Sequence, residues 1–190
     1  MSYFTNSELK NLGFKFIGEN VKISTKASIY NADLISIGNN SRVDDFCILS
    51  GYIEIGNNCH ITPMCLIAGG EPGVIIKDFV ALAYGVKVFS QSDDYSGQTM
   101  TNSTIDKKYK REIKKQVIIG SHVIVGTNSV VLPGCILNEG TSIGACSLIN
   151  KNTESWNIYY GQPAVKIKKR SQALLDLEAK FKKENNNDSI

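Results

Sequence analysis

Side chains able to take a proton near neutral pH are scarce in this sequence, which has two histidines, His60 and His122. An imidazole, with an ordinary pKa of about 6.5, suits general-base work. Two histidines supply too few nitrogens for a three-histidine metal centre, and the five cysteines show no paired CxxC spacing, so no metal is expected. Carboxylates meet at Asp93-Asp94, with Tyr95 next. That trio reads as a wall that accepts hydrogen bonds from an amino group, or as an Asp-rich turn whose side chains bond their own backbone. Cations fall in two runs, Lys107, Lys108, Lys110, Arg111, Lys114 and Lys115, then Lys166, Lys168, Lys169 and Arg170. The first reads as solvated charge or a phosphate contact, and the second is better placed to hold phosphates.

The elements that must position these groups follow from a repeat. The chain has 190 residues, 42% apolar but only 8% aromatic, with 16 glycines, a composition of small aliphatics. Ile, Leu or Val recurs every six positions, often followed by Gly, as in Ile37-Gly38, Ile55-Gly56, Ile119-Gly120, Val125-Gly126 and Ile143-Gly144. In register the inward residues are Ile17, Ile23, Ile29; Ile37, Val43, Leu49; Ile55, Ile61, Ile67; Ile76, Leu82, Val88; Ile119, Val125, Val131; and Leu137, Ile143, Ile149. A helix repeats near 3.6 and a strand near 2, so a period of six demands three short strands per triangular coil. Six such coils stand roughly 29 Å tall at about 4.8 Å each.

Four of the cysteines, Cys47, Cys59, Cys65 and Cys135, share a compact corner slot with Val21, Ala27, Ser41, Val123, Ser129, Thr141 and Ser147. There a thiol acts as a small hydrophobe. Cys146 breaks the register. The register slips by two residues between Ile29 and Ile37, three between Ile67 and Ile76, and twenty-five between Val88 and Ile119. An insertion of the last length inside a compact domain is a functional loop. Ser7 before Glu8-Leu9-Lys10-Asn11-Leu12 reads as the cap of a short helix, and Leu174, Leu175, Leu177 and Phe181 predict a second helix over 171–184, with 185–190 frayed. The chain thus divides into a helical cap at 1–16, coils at 17–150 with an inserted loop at 89–118, and a closing segment with a helix at 151–190.

A net charge of +3 is far from the basic surplus that nucleic acid demands. No apolar run reaches a membrane span, and residues 1–25 lack the pattern of a signal peptide, so a soluble, cytoplasmic protein is expected.

The repeat resembles the hexapeptide-repeat acyltransferase superfamily. That resemblance implies an all-β fold, a left-handed parallel β-helix of about six coils with a short N-terminal helix, one protruding loop and a C-terminal helix. It also implies a homotrimer that takes its acyl group from acetyl-coenzyme A (acetyl-CoA), bound between adjacent prisms near the last coils. The segment Ile158-Tyr159-Tyr160-Gly161-Gln162-Pro163-Ala164 with Ile167-Lys168-Lys169-Arg170 is similar to the closing segment of the coenzyme A-using members. On that resemblance the cofactor-binding residues are Gly126, Gly144, Ala145, Ala164, Lys168, Lys169 and Arg170. The loop residues Ser92-Asp93-Asp94-Tyr95-Ser96-Gly97, Met100-Thr101-Asn102 and Lys108-Tyr109 resemble bacterial enzymes that N-acylate nucleotide-linked 4-amino-4,6-dideoxy sugars, of the violosamine and anthrose pathway type. This implies substrate contacts at Asp93, Asp94, Tyr95, Asn102 and Lys108, and a place in O-antigen or surface polysaccharide synthesis.

Placed after Gly56-Asn57-Asn58, His60 is similar to those enzymes and becomes the candidate base, against a surface histidine bonded to a turn. His122 reads as a surface residue, with a coenzyme contact as its alternative. Between Val88 and Lys115 there is no histidine, unlike many hexapeptide sugar O-acetyltransferases. A hydroxyl acceptor depends on a strong base, whereas an amine is partly free near neutrality, so an amino acceptor is favoured. An O-acetyltransferase is the alternative enzyme. A non-catalytic scaffold would need neither the loop nor the basic closing segment.

Overall fold

Each six-residue unit contributes a short strand and a tight corner, and three units close one coil. The computed structural model describes residues 2–187. In it the predicted rows form parallel partners. Ile17, Ile37, Ile55, Ile76, Ile119 and Leu137 stack on one face. Ile23, Val43, Ile61, Leu82, Val125 and Ile143 stack on a second, and Ile29, Leu49, Ile67, Val88, Val131 and Ile149 on a third. All are buried except Ile17 and Ile29, which are half-buried because the first coil has no coil beneath it. Burying one such side chain contributes about 1.5–3 kcal/mol, so the rows supply the core. The fold is a left-handed parallel β-helix.

Two residues before each inward aliphatic, a second side chain also points inward. This is the corner slot, and its polar members are satisfied by the coil above, as when Ser41 Oγ donates to the Gly56 carbonyl at 2.7 Å. The slot also holds Ile53 within an unbroken stretch and Ile35, Val74 and Val117 after the three insertions, all fully buried. A strict six-residue search passes over the latter three. Cys47, Cys59, Cys65 and Cys135 are buried in the slot, and Cys146 is exposed. Burial pushes the Cys59 thiol up to about 11.

The corners need left-handed backbone. One column runs through Asn20, Asn40, Asn58, Phe79, His122, Gly140 and Trp156, all at φ between 54° and 67°. Asn tolerates this conformation, but Phe, His and Trp hold it only because packing compensates.

The second face carries a seventh rung, Asn157–Tyr160, parallel to Ser142–Ile143, so the prism extends beyond the six coils expected. Val165–Lys169 then pairs antiparallel with that rung and covers its edge. At the N-terminus helix α1 (Asn6–Asn11) is capped by Thr5 and Glu8 in a reciprocal box, so Thr5 replaces Ser7 as the cap. Helix α2 (Leu174–Asn187) starts later than expected because Ser171 Oγ accepts from the Ala173 N–H in a preceding turn. Fraying was expected over 185–190, but the helix runs on through Asn187, and residues 188–190 lie outside the described residues. Among the described residues no helix is long and apolar enough to cross a membrane.

Candidate active site

On the second face the outward residues of successive strands stand in columns, and His60 occupies one of them between Arg42 and Ala81. Its Nε2 lies 2.8 Å from Asp44 Oδ2. Arg42 grips the same carboxylate from the other side, with Nε donating to Oδ1 at 2.6 Å and Nη2 to Oδ2 at 3.1 Å. The Asp44 side chain is 2% exposed while the imidazole is 43% exposed. Burial is the largest influence on Asp44 and pushes its carboxyl up, but the bonds from Arg42 and then His60 outweigh it, leaving Asp44 below the usual carboxylate range. His60 therefore presents an accessible ring on a fixed anion. Asp44 escaped sequence reasoning because an Asp two residues after an Arg on a coil reads as a solvated pair.

The neighbouring outward column continues upward through Thr62, Ala83, Gly126 and Gly144, so the predicted base and the predicted glycines share one face. At about 4.8 Å per coil, Gly126 stands roughly 10 Å above the level of His60. A Cβ on Gly126 would strike the backbone of Ala145, and one on Gly144 the ring of Tyr160. The column is a trough of small residues. Ala145 and Cys146 form its upper corner, while Ala164 is half-buried, its N–H donating to the Leu148 carbonyl at 2.8 Å.

The basic closing run is divided. Lys168 and Lys169 are exposed beside Ile158 and Asn157, at the opposite end of the closing ladder from Val165 and Tyr160. Arg170, expected to hold phosphate, points elsewhere, its Nη1 donating to the carbonyls of His122 at 2.7 Å and Gly140 at 3.0 Å. Three coil carbonyls, with Thr141 the third at 3.5 Å, lie along that corner and draw the guanidinium in, and burial lowers its pKa. It clamps the corner column.

The long insertion leaves the prism on a short antiparallel ladder, Gln91–Ser92 against Ile113–Lys114. The three-residue insertion one coil below is its shelf. Lys114 Nζ meets Glu71 Oε2 at 2.9 Å, Gln116 Nε2 donates to the Pro72 carbonyl at 3.2 Å, and Ser90 Oγ donates to the Gly69 carbonyl. A Cβ on Gly70, at φ +49°, would overlap the Gln91 side chain.

Within the loop Asp93 lines a cleft of about 310 Å³ with Gln91, Ser92, Ser103, Lys110 and Glu112. Asp93 Oδ2 accepts from the Asn102 N–H at 3.2 Å. Asp94 accepts from the Ser96 N–H, Ser96 Oγ and Thr99 Oγ1, and the Ser96 backbone bond is the chief reason its carboxyl sits below the usual range. Asn102 turns its own Oδ1 to Thr104. Tyr95 is 92% exposed, and Lys108 Nζ lies over the Tyr109 ring, 4.9 Å from its centroid. Within this chain the loop springs from the corner after Val88 on the third face, whereas His60 stands on the second.

His122 is buried, against the expectation of a surface residue. It stacks on Phe79, 5.2 Å away and 6° from parallel, because the two hold the same corner position in successive coils. Helix α2 covers them, placing Glu178 Oε2 2.9 Å from His122 Nε2. Gly140 leaves room for Trp156 to come within 6.1 Å of the imidazole.

The pattern of the family described as "Bacterial transferase hexapeptide (six repeats)" matches residues 116–151. The dTDP-4-amino-4,6-dideoxy-D-glucose acyltransferase of Escherichia coli is 42% identical over 185 residues, 96% of each chain. The N-acyltransferase AntD of Bacillus cereus, solved in complex with dTDP and 3-hydroxybutyryl-CoA, is 42% identical and superposes with a TM-score of 0.96 over 97% of this chain and 98% of that one. The acetyltransferase domain of PglB from Neisseria gonorrhoeae, 14% identical with a TM-score of 0.59 over 77% of this chain and 57% of that one, shares the fold. With two-fifths identity to a named acyltransferase along nearly its whole length, this chain belongs to the hexapeptide-repeat acyltransferase family.

Proposed function

We propose that the chain transfers the acetyl group of acetyl-CoA to the amino group of a nucleotide-linked amino-dideoxy sugar of the dTDP-4-amino-4,6-dideoxyglucose type. The observation that carries this reading is one face on which an accessible histidine stands beneath a trough of small residues, in a chain 42% identical to an enzyme named for that sugar. The sugar nitrogen attacks the thioester carbonyl carbon, its proton passes to the His60 imidazole, and the carbon–sulfur bond then breaks to release coenzyme A. Gly126, Gly144, Ala145 and Ala164 line the path of the pantetheine arm, with Lys168 and Lys169 as phosphate contacts. Asp93, Asp94, Tyr95, Asn102 and Lys108 face the sugar nucleotide.

The working form in this proposal is a homotrimer, since base and loop leave one prism on different faces and a neighbouring copy supplies the missing wall. Phe46, Met64 and Tyr84, 56%, 63% and 57% exposed at the corner beside the His60 face, are an apolar contact suited to that packing. The reaction serves surface polysaccharide synthesis, including O-antigen, in the cytoplasm. Thiol release from acetyl-CoA and 3-hydroxybutyryl-CoA, followed across dTDP-linked 3-amino and 4-amino sugars and their hydroxyl counterparts, tests this. Turnover confined to the amino sugars is expected, and faster turnover of a hydroxyl acceptor would overturn it.

A further inference from the structure

We propose that Asp44 is the positioning residue of this site, holding His60 as the tautomer with its proton on Nε2 so that Nδ1 is the atom that takes the proton from the sugar amine. The inference rests on the reading of His60 as the base.

An ionised carboxylate only accepts hydrogen bonds, so a ring nitrogen 2.8 Å from Asp44 Oδ2 must donate. In a neutral imidazole the other nitrogen then keeps its lone pair. The carboxylate cannot turn to follow the ring, because Arg42 holds both its oxygens and Asp44 is buried on a rung whose backbone is paired on either side, the Asp44 N–H donating to the Ile61 carbonyl at 3.0 Å. His60 sits on the next rung, in parallel register with Arg42. Both ends of the contact are thus set by coil stacking rather than by a loop. The loop carboxylates differ, since Asp94 spends its oxygens on Ser96 and Thr99 within its own turn.

The test has two parts. Nitrogen-15 NMR of the histidines in the unaltered protein, above the pH at which imidazoles protonate, should show His60 protonated at Nε2. In kinetics Asp44→Asn should lower turnover roughly 10-fold or more, a share of the contribution of a positioned base, with the KM for acetyl-CoA unchanged. Asp44→Asn combined with His60→Asn should be no slower than His60→Asn alone. A proton on Nδ1 in the unaltered protein, or losses that multiply in the double variant, would overturn the assignment. Should His60→Asn turn over at the parent rate, the base itself is wrong, and the NMR result still reports whether Asp44 sets the tautomer. The NMR measurement needs no variant, so a poorly folding Asp44→Asn leaves the question decidable.

Discussion

Each histidine of the chain stands against a carboxylate, His60 on Asp44 at 2.8 Å and His122 on Glu178 at 2.9 Å, yet only in the first pair is the imidazole open to solvent. At His60 the anion is buried and the imidazole accessible. At His122 the imidazole is the buried partner, 9% exposed, stacked on Phe79 and covered by α2, and its carboxylate is shared with Lys182 at 2.5 Å. The first arrangement orients a ring that solvent and substrate can reach. The second fastens a helix to a corner. Proximity of a carboxylate therefore does not mark a reactive histidine; the side of the pair that faces outward does.

Removing the loop proposed as the sugar wall should have the largest effect. Excising 95–110 and joining the ends with two glycines leaves the Gln91–Ser92 and Ile113–Lys114 ladder and every inward aliphatic in place. Turnover should fall by roughly 1000-fold, the scale on which positioning contributes, while sedimentation shows a folded particle of the same oligomeric state as the parent. Parent-level activity would separate the loop from the sugar site.

At the covered histidine the expected loss is in stability. His122→Asn keeps a residue suited to φ 60° but removes the stack on Phe79 and leaves Glu178 with Lys182 alone of its two partners. Unfolding free energy should drop by about 1–3 kcal/mol with turnover within about twofold of the parent. A large activity loss without destabilisation would erase the distinction between the two histidines.

Glu178→Gln probes the same clasp more gently. Lys182 is the chief influence lowering the Glu178 carboxyl, burial opposes it, and His122 adds to the lowering. Because the folded pKa lies below the unfolded one, the stabilisation is present above the ordinary glutamate value near 4.5 and is lost as pH falls through the folded value. Fluorescence of Trp156, the sole tryptophan, should report α2 loosening in that acid window in the parent. The Gln variant should begin with a Tm lower by about 2 °C or less and lose less on acidification. Smallest of all, an alkylating reagent under native conditions should leave Cys47, Cys59, Cys65 and Cys135 unmodified by mass spectrometry, since those thiols are buried in corner slots.

Most of the fold was legible because a coil is periodic: the inward rows follow from spacing alone. The slot residues that insertions displace, Ile35, Val74 and Val117, were hidden because their place depends on which corner swells. The site was legible in part. His60, the loop carboxylates and the small-residue column stand out by type and position, whereas Asp44 matters only through stacking of adjacent coils, a contact sixteen residues apart that no local pattern encodes. His122 was misplaced because covering it takes a helix more than fifty residues later, and Arg170 because a cation in a basic run gives no sign of which carbonyls it will meet.

The pH dependence of turnover in the parent and in His60→Asn tests the central claim most directly. The outward position makes the substitution structurally mild, and the account predicts a rate roughly 100-fold lower near neutrality with unchanged affinity for acetyl-CoA. Equal rates near neutrality would contradict it, removing His60 from proton transfer and leaving Asp93 or Asp94 as the group to examine.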